Sequence, residues 1–196
     1  MPERLGVADA AYLYRDRPGA PTHVGTVSIF ETPTRGFDHS RLVHLIRQRI
    51  PYVPRYRKRI RQVPLGLARP VWVDDSQFDV TYHVRRSALP RPGSRRQLNE
   101  LVSRLMSRPL DPERPLWEMY LIEGLDDGCF AIVTKTHQAL VDGMVALDIS
   151  QVLMDDTDAG APLFSADPWR PAPEPTDLEL LTAALSEPLA HPQEMV

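Results

Sequence analysis

The segment from residue 117 to residue 136 constrains the fold more than any other part of the sequence. It contains two extended runs, WEMYLIEG (117–124) and CFAIVTKT (129–136), joined by a short connection that includes Asp127 and Gly128. Aromatic and β-branched residues are frequent in both runs, and an Asp-Gly pair suits the backbone angles of a tight hairpin turn. The segment therefore predicts two neighbouring antiparallel strands at the centre of a sheet.

Hydrophobic periodicity predicts further strands and helices around this hairpin. The additional extended segments are residues 22–31, 70–75 and 78–84. The helical segments are residues 39–50, 95–106, 143–156 and 176–190. Asp38, Ser94 and Asp142 are placed to cap the first three helices, and Ser94 with Gln97 forms a Ser-x-x-Gln capping box. Both kinds of element occur along the whole chain.

This mixture predicts an α+β fold with a mixed, mainly antiparallel sheet and flanking helices. A chain of 196 residues with 42% hydrophobic residues has room for one substantial core. Residues 156–176 are rich in proline and acidic residues and are predicted to be a linker. The linker separates an N-terminal domain at residues 1–155 from the start of a helical segment at residues 177–196.

Composition argues against several classes of function. The formal net charge of -3 provides no global attraction to nucleic acid. The N-terminus lacks the apolar core of a secretory signal, and no uninterrupted apolar stretch of about 18 residues is present. The lone Cys129 suits a reducing compartment, so a cytoplasmic protein is expected. The six histidines show no metal-ligand spacing, and no metal site is expected.

The segment KTHQALVDG (135–143) follows the second run and is the candidate reaction centre. Acyl transfer to an alcohol needs a base that removes the hydroxyl proton, and the pKa of an imidazole lies near neutral pH. His137 lies at a predicted strand end, and Asp142 and Gly143 lie at a following turn. The strand and the turn would hold such a base in a fixed position. The plain alternative is a buried histidine at a strand end that leads into a capped helix.

Several longer stretches of the sequence carry a resemblance to a known family. They are RLGVADAAYLY, THVG, VPRYRKRIRQVPLGLARPVWVDD, FDVTYHVRRSALPRPG, SRPLDPERPLWEMYLIEGL and KTHQALVDG, and they run collinearly from residue 4 to about residue 155. In these stretches the sequence resembles the bacterial wax ester synthase and diacylglycerol acyltransferase family. The resemblance implies a chloramphenicol acetyltransferase-like fold. In the family a second, similarly built half follows a linker, so this sequence is expected to be a truncated N-terminal half.

The motif of that family is His-His-x-x-x-Asp-Gly, in which the second histidine is the base and the aspartate shapes the loop. By position, His137 is the first histidine, Gln138 replaces the second, and Asp142 and Gly143 complete the motif. A glutamine can orient a hydroxyl or support an oxyanion, but it has no titratable group and cannot act as a base. Neighbouring strand residues face opposite sides, so His137 takes over only if a bulge or the turn at Ala139 rotates it inward. The resemblance thus implies His137, Gln138 and Asp142 as catalytic residues, with Gly143 shaping the loop.

The resemblance implies an acyl-CoA-dependent O-acyltransferase that forms triacylglycerol or wax ester. Acyl-CoA is a substrate in this interpretation, the acceptor is diacylglycerol or a long-chain alcohol, and no separate cofactor is expected. One alternative is a catalytically inactive relative that binds lipid or acyl-CoA. Another is a condensation-type domain that acts on carrier-bound acyl groups. The half alone is expected to turn over poorly and to need a separate C-terminal half as its partner.

Two further segments have a functional and a structural interpretation. The basic run RYRKRIRQ (55–62) can meet acyl-CoA phosphates or an anionic lipid surface, such as the inner face of the plasma membrane or a lipid droplet. Its structural interpretation is a solvated helix face. The segment PLWE (115–118) matches the family, and we interpret it as the start of a strand with a buried indole.

Overall fold

The computed structural model describes residues 3–17, 19–141 and 169–190, which form two sheets with helices around them. The strands are β1 (Glu3–Arg4), β2 (His23–Glu31), β3 (Lys58–Arg61), β4 (Val71–Asp74), β5 (Val84–Ala88), β6 (Trp117–Glu123) and β7 (Cys129–His137). The helices are α1 (Val7–Arg15), α2 (His39–Arg49), α3 (Val80–His83), α4 (Arg95–Ser107), α5 (Gln138–Val141) and α6 (Asp177–Ala190). Turns of 3-10 helix lie at Ile50–Tyr52, Pro54–Arg57, Pro64–Gly66 and Asp126–Gly128. The predicted α+β class is confirmed.

The larger sheet has the strand order β2-β7-β6-β5. Strands β6 and β7 pair antiparallel as predicted, with Leu121 opposite Ile132, and a 3-10 turn joins them. Gly128 at the end of that turn has a φ of 70°, a conformation that glycine adopts without strain. Strand β2 pairs antiparallel with β7, whereas β5 pairs parallel with β6. The sheet is therefore mixed and mainly antiparallel.

The main hydrophobic core covers one face of this sheet. Trp117, Met119 and Leu121 of β6 are buried in the same cluster as Leu42 and Ile46 of α2. Residues 117–122 are all buried, although alternate residues of a strand point to opposite faces. Strand β6 is therefore covered on both sides, which is the position of a central strand.

Helix α4 covers the opposite face of the sheet. Its residues Leu98 and Leu105 form a second buried cluster with Ile122 and other sheet residues. The helix begins with the predicted capping box: the Ser94 hydroxyl accepts the Gln97 N–H, and the Gln97 side chain accepts the Ser94 N–H at 2.8 Å. The N–H groups of Ser94 and Gln97 thereby have acceptors, which fixes where the helix starts.

Other predicted elements are also confirmed. Strand β2 occupies the predicted segment 22–31, and β4 lies within residues 70–75. Asp38 caps α2, because its Oδ1 accepts the Arg41 N–H at 2.8 Å. The C-terminal helical segment is α6.

The prediction of an extended segment over residues 78–84 is wrong in its central part. Residues 80–83 form the helical turn α3, and strand β5 begins only at Val84. Asp79 starts the turn, since its Oδ1 accepts the Thr81 N–H at 2.9 Å. This local cap outweighs the preference of Val80 and Thr81 for extended backbone.

The basic run at residues 55–62 does not form a solvated helix face. It consists of a 3-10 turn and β3, which lies at the edge of a smaller sheet with the strand order β1-β4-β3. Acidic residues of the same chain form ion pairs with Arg55, Lys58, Arg59 and Arg61. The ion pairs are Arg55–Glu3, Lys58–Glu3, Arg59–Glu113, Arg59–Glu174, Arg61–Glu174 and Arg61–Asp177.

Residues 169–190 pack against the smaller sheet. Helix α6 contributes Leu180 and Ala184 to a buried cluster with Val71 and Val73 of β4. The described part of the predicted linker, residues 169–176, contains neither helix nor strand. The helix predicted over residues 143–156, its cap and the rest of the linker lie outside the described residues. Within the described ranges, no helix has both the length and the apolar character that crossing a membrane requires.

Candidate active site at the end of strand β7

The candidate site lies where strand β7 ends and helix α5 begins. His137 is the last residue of the strand and is opposite His23 of β2 in the register. Backbone hydrogen bonds continue beyond the strand: the His137 N–H donates to the Leu116 carbonyl at 3.0 Å, and the Gln138 N–H donates to the Thr22 carbonyl at 2.9 Å. Residues 137 and 138 are therefore held by Leu116 and Thr22, the residues just before strands β6 and β2.

His137 is 1% exposed, and both of its ring nitrogens have partners. Its Nδ1 accepts the backbone N–H of Ala139 at 3.0 Å, so this nitrogen carries no proton in the observed arrangement. A neutral imidazole then carries its proton on Nε2, which lies 3.0 Å from Oδ2 of Asp16. To remove a proton from a substrate, His137 has to give up one of these two contacts.

The electrostatics of the pair favour a neutral imidazole beside an ionised carboxylate. Burial lowers the pKa of His137, and Asp16 opposes that shift only in part. Burial acts to raise the pKa of Asp16, but hydrogen bonds from Thr22 and His137 outweigh it and leave that pKa below its ordinary value. The Asp16 side chain is 33% exposed, which keeps its charge hydrated.

Gln138 is partly exposed, whereas its neighbours His137 and Ala139 are buried. The two neighbours therefore differ in environment, because His137 is buried and Gln138 has access to solvent. Asp142 and Gly143 lie outside the described residues. Of the four predicted site residues, the structure therefore describes His137 and Gln138, which are adjacent in the chain.

A row of buried polar residues begins two positions before His137 in strand β7 and lies on the same face of the sheet. Lys135 has a fully buried side chain whose Nζ donates to the Arg108 carbonyl and lies 3.8 Å from Glu118 Oε2. The Glu118 carboxylate also accepts the Tyr120 hydroxyl at 2.7 Å and pairs with Arg85 at 3.0 Å. Burial lowers the pKa of Lys135, and Glu118 opposes that shift.

Trp117 and His83 have structural roles. The Trp117 side chain is 1% exposed, and its indole N–H donates to the Tyr56 carbonyl at 2.8 Å, which confirms the structural interpretation of the PLWE segment. The His83 ring stacks on Trp117 with 4.5 Å between centroids, and its Nδ1 lies 2.8 Å from the Trp117 carbonyl oxygen. These contacts anchor the beginning of β6.

Sequence reasoning did not identify Asp16 or the Glu118–Lys135 pair. Asp16 lies in an irregular connection, 121 positions from its partner, and no local pattern marks it. The pair could have been found, because Lys135 interrupts an apolar run and the hairpin register places it opposite Glu118. A lysine within a central strand requires a buried partner.

We expect the protein to lose stability when the pH falls below about 6.5, the ordinary pKa of histidine. Burial lowers the pKa values of His23, His83 and His137, so the unfolded chain binds more protons than the folded one in this range. Each additional proton bound on unfolding lowers the free energy of unfolding by about 1.4 kcal/mol per pH unit. Urea unfolding at pH 7.0, 6.0 and 5.5 measures this slope, and His137→Asn should reduce it. A free energy of unfolding that is constant over this range would contradict the prediction.

Within residues 3–17, 19–141 and 169–190, no group of three or more histidine, cysteine, aspartate or glutamate side chains is arranged to hold a metal ion.

Comparison with solved structures defines the class of protein by its fold. The starter condensation domain of rhizomide synthetase matches with a TM-score of 0.59 and 14% identity, over 78% of this chain and 36% of that one. At this identity the likeness concerns the fold alone. The chain has the chloramphenicol acetyltransferase-like α+β fold, which it shares with this condensation domain.

The sequence defines the family. A model of the wax ester synthase/diacylglycerol acyltransferase catalytic domain matches residues 5–196. The chain is 47% identical over 192 residues to the diacylglycerol O-acyltransferase tgs3 of Mycobacterium tuberculosis. It is 37% identical to the wax ester synthase/diacylglycerol acyltransferase from Marinobacter aquaeolei VT8, with a TM-score of 0.60. The chain belongs to the wax ester synthase/diacylglycerol acyltransferase family, as the resemblance predicted.

The coverage of these relatives is unequal. The alignment with tgs3 includes 98% of this chain and 70% of that protein. The alignment with the Marinobacter enzyme includes 71% of this chain but only 35% of that one. The chain thus spans about a third of the solved family member that it matches.

Proposed function

We propose that this protein takes part in acyl-CoA-dependent O-acyl transfer that forms triacylglycerol or wax ester. The match of the family's catalytic domain along residues 5–196 is the observation that carries the proposal. The 47% identity to a diacylglycerol O-acyltransferase over almost the whole chain supports it. Acyl-CoA is the donor, and diacylglycerol or a long-chain alcohol is the acceptor. No cofactor takes part in the proposed reaction.

The reaction centre of this proposal is the segment 137–143. Gln138 occupies the position of the family's base and can hold the acceptor hydroxyl or the developing oxyanion through its amide. Asp142 and Gly143 shape the loop, in keeping with their positions in the family motif. His137 takes over as base only if it gives up the contact with Ala139 or the contact with Asp16, and the observed hydrogen bonds oppose that change.

The second candidate function is binding of acyl-CoA or lipid without turnover. Two observations favour it: position 138 carries no titratable group, and both nitrogens of the neighbouring imidazole have partners. In this case the fold keeps a binding surface for the acyl donor and has lost the proton transfer step. Binding and turnover must therefore be measured separately.

Contact with a lipid surface and with a second half of the enzyme are also part of the proposal. The acceptors and products are water-insoluble, which supports a peripheral position at a membrane or lipid droplet. The ion pairs of the basic run with Glu3, Glu174 and Asp177 reduce its capacity for anionic headgroups. The part of the Marinobacter enzyme outside the alignment, which covers 35% of that chain, is the counterpart of such a second half.

The decisive experiment combines acyl-CoA binding with CoA release. We expect saturable binding of a long-chain acyl-CoA, followed by slow CoA release in the presence of diacylglycerol or a long-chain alcohol. Equal slow rates for the wild-type protein and His137→Ala would exclude His137 as the base. Absence of acyl-CoA binding, together with absence of transfer by a Gln138→His variant, would refute the proposed function.

A further inference from the structure

Asp16 lies in the connection between α1 and β2 and uses both carboxylate oxygens as acceptors. Its Oδ1 accepts the Thr22 N–H at 2.6 Å. Its Oδ2 lies 3.0 Å from Nε2 of His137, the nitrogen that carries the proton because Nδ1 accepts from Ala139. One side chain therefore joins the beginning of β2 to the end of β7.

The backbone of Gln138 depends on the same contacts. Its N–H donates to the carbonyl of Thr22 at 2.9 Å, and the following N–H, of Ala139, donates to the His137 ring at 3.0 Å. Thr22 and His137 are the two residues that Asp16 holds. Residue 138 thus lies next to Thr22 and His137, and the Asp16 carboxylate contacts both of them.

We propose that Asp16 is a positioning residue, which sets the orientation of residue 138 through Thr22 and His137. The inference rests on the proposed function in one respect, namely that the reaction takes place at position 138. Asp16 does not act on the reacting atoms. Its effect passes through the helix start at α5, which is in contact with α1, the helix that precedes Asp16.

A carboxylate suits this task better than other side chains of similar size. Two donors approach two different oxygens of Asp16, and an asparagine offers only one oxygen together with an N–H₂ group that meets a donor. Hydrogen bonds to an ionised acceptor are also stronger than those between neutral groups. The contact with Asp16 further holds the ring of His137 in the orientation in which Nδ1 faces Ala139.

The first test needs no enzymatic activity. Backbone amide exchange is measured by NMR in the wild-type protein, Asp16→Ala and the control Asp38→Ala, which removes a helix cap far along the chain. We expect the amides of Gln138 and Ala139 to exchange about tenfold faster or more in Asp16→Ala. The variant lacks the bonds of Asp16 to Thr22 and His137, so local opening of this junction costs less free energy. Asp38→Ala should leave these two amides unchanged. Equal exchange in all three proteins would overturn the proposal.

The isosteric variant Asp16→Asn tests whether the junction needs the carboxylate. Asp16 raises the pKa of His137 against the larger effect of burial, so a junction that keeps its geometry without the carboxylate would titrate at a lower pH in the variant. His137 is identified in the ¹⁵N spectrum as the signal lost in His137→Asn. We expect the opposite shift, because a loosened junction exposes the ring and moves its titration up, towards the ordinary value of about 6.5. A downward shift would contradict the positioning role.

The second test uses activity in the Gln138→His background. Asp16→Ala in this background should lower kcat about tenfold or more, with little change in KM, because the acyl donor is still bound while the imidazole is misdirected. Asp38→Ala in the same background should leave both constants unchanged. If Gln138→His shows neither transfer nor acyl-CoA binding, the proposed function fails, and the exchange and titration experiments still decide the role of Asp16. Unchanged kcat in an active background would overturn the inference.

Discussion

We expect replacement of Gln138 with histidine to raise the rate of the proposed acyl transfer on the order of 100-fold. The reason is that a general base contributes about 100- to 10,000-fold, and the backbone of residues 137 and 138 is held by hydrogen bonds. Position 138 is partly exposed, its N–H is bonded to Thr22, and the preceding strand is paired along both edges. An imidazole at this position therefore starts from a fixed backbone and has access to substrate that the buried His137 lacks.

The measurement is CoA release from a long-chain acyl-CoA with diacylglycerol as acceptor, at saturating concentrations of both. Gln138→Asn is the matched control, because it keeps an amide and adds no titratable group. The rate of Gln138→His should rise with pH through the pKa of the new imidazole, whereas the wild-type rate should show no such step. Equal rates for the histidine and asparagine variants would show that the missing base is not what limits this protein.

The central hairpin could be predicted because its signals are local. Two β-rich runs and an Asp-Gly connection lie within 20 consecutive residues, and the observed strands β6 and β7 differ from the predicted runs by one residue at one end. The capping box of α4 is equally local. The helical turn α3 was mistaken for a strand, since one side-chain contact from Asp79 decided between two conformations. The parallel pairing of β5 with β6 requires knowledge of the tertiary structure.

The candidate site could be predicted only in part. His137 is buried and Gln138 is partly exposed, but residues 133–137 are all buried, so strand alternation does not account for this difference. The tautomer of His137 could not be predicted, since it depends on Asp16 from another part of the chain and on the amide of Ala139 at the helix start. Local sequence therefore predicts a candidate segment, and long-range contacts determine what its residues can do.

The second large effect concerns stability. Replacing Glu118 with glutamine should lower the free energy of unfolding by about 3–5 kcal/mol, the usual cost of leaving a buried charge without its partner. Glu118 is 8% exposed and faces the fully buried Lys135 as well as Arg85. The amide cannot neutralise either cation, and Lys135 keeps only the Arg108 carbonyl among the contacts described above.

Glu118 and Lys135 should not contribute equally to the free energy of unfolding. Lys135→Met should cost less than Glu118→Gln, because Glu118 keeps its ion pair with Arg85 and its hydrogen bond from Tyr120. The double variant should be more stable than Glu118→Gln, because it removes the uncompensated lysine as well. Urea unfolding of the four proteins gives the coupling free energy directly. Additive losses would show that the 3.8 Å pair carries no interaction and that Arg85 alone compensates Glu118. A favourable coupling would assign to this buried pair a part in holding strand β7 two residues before the reacting segment.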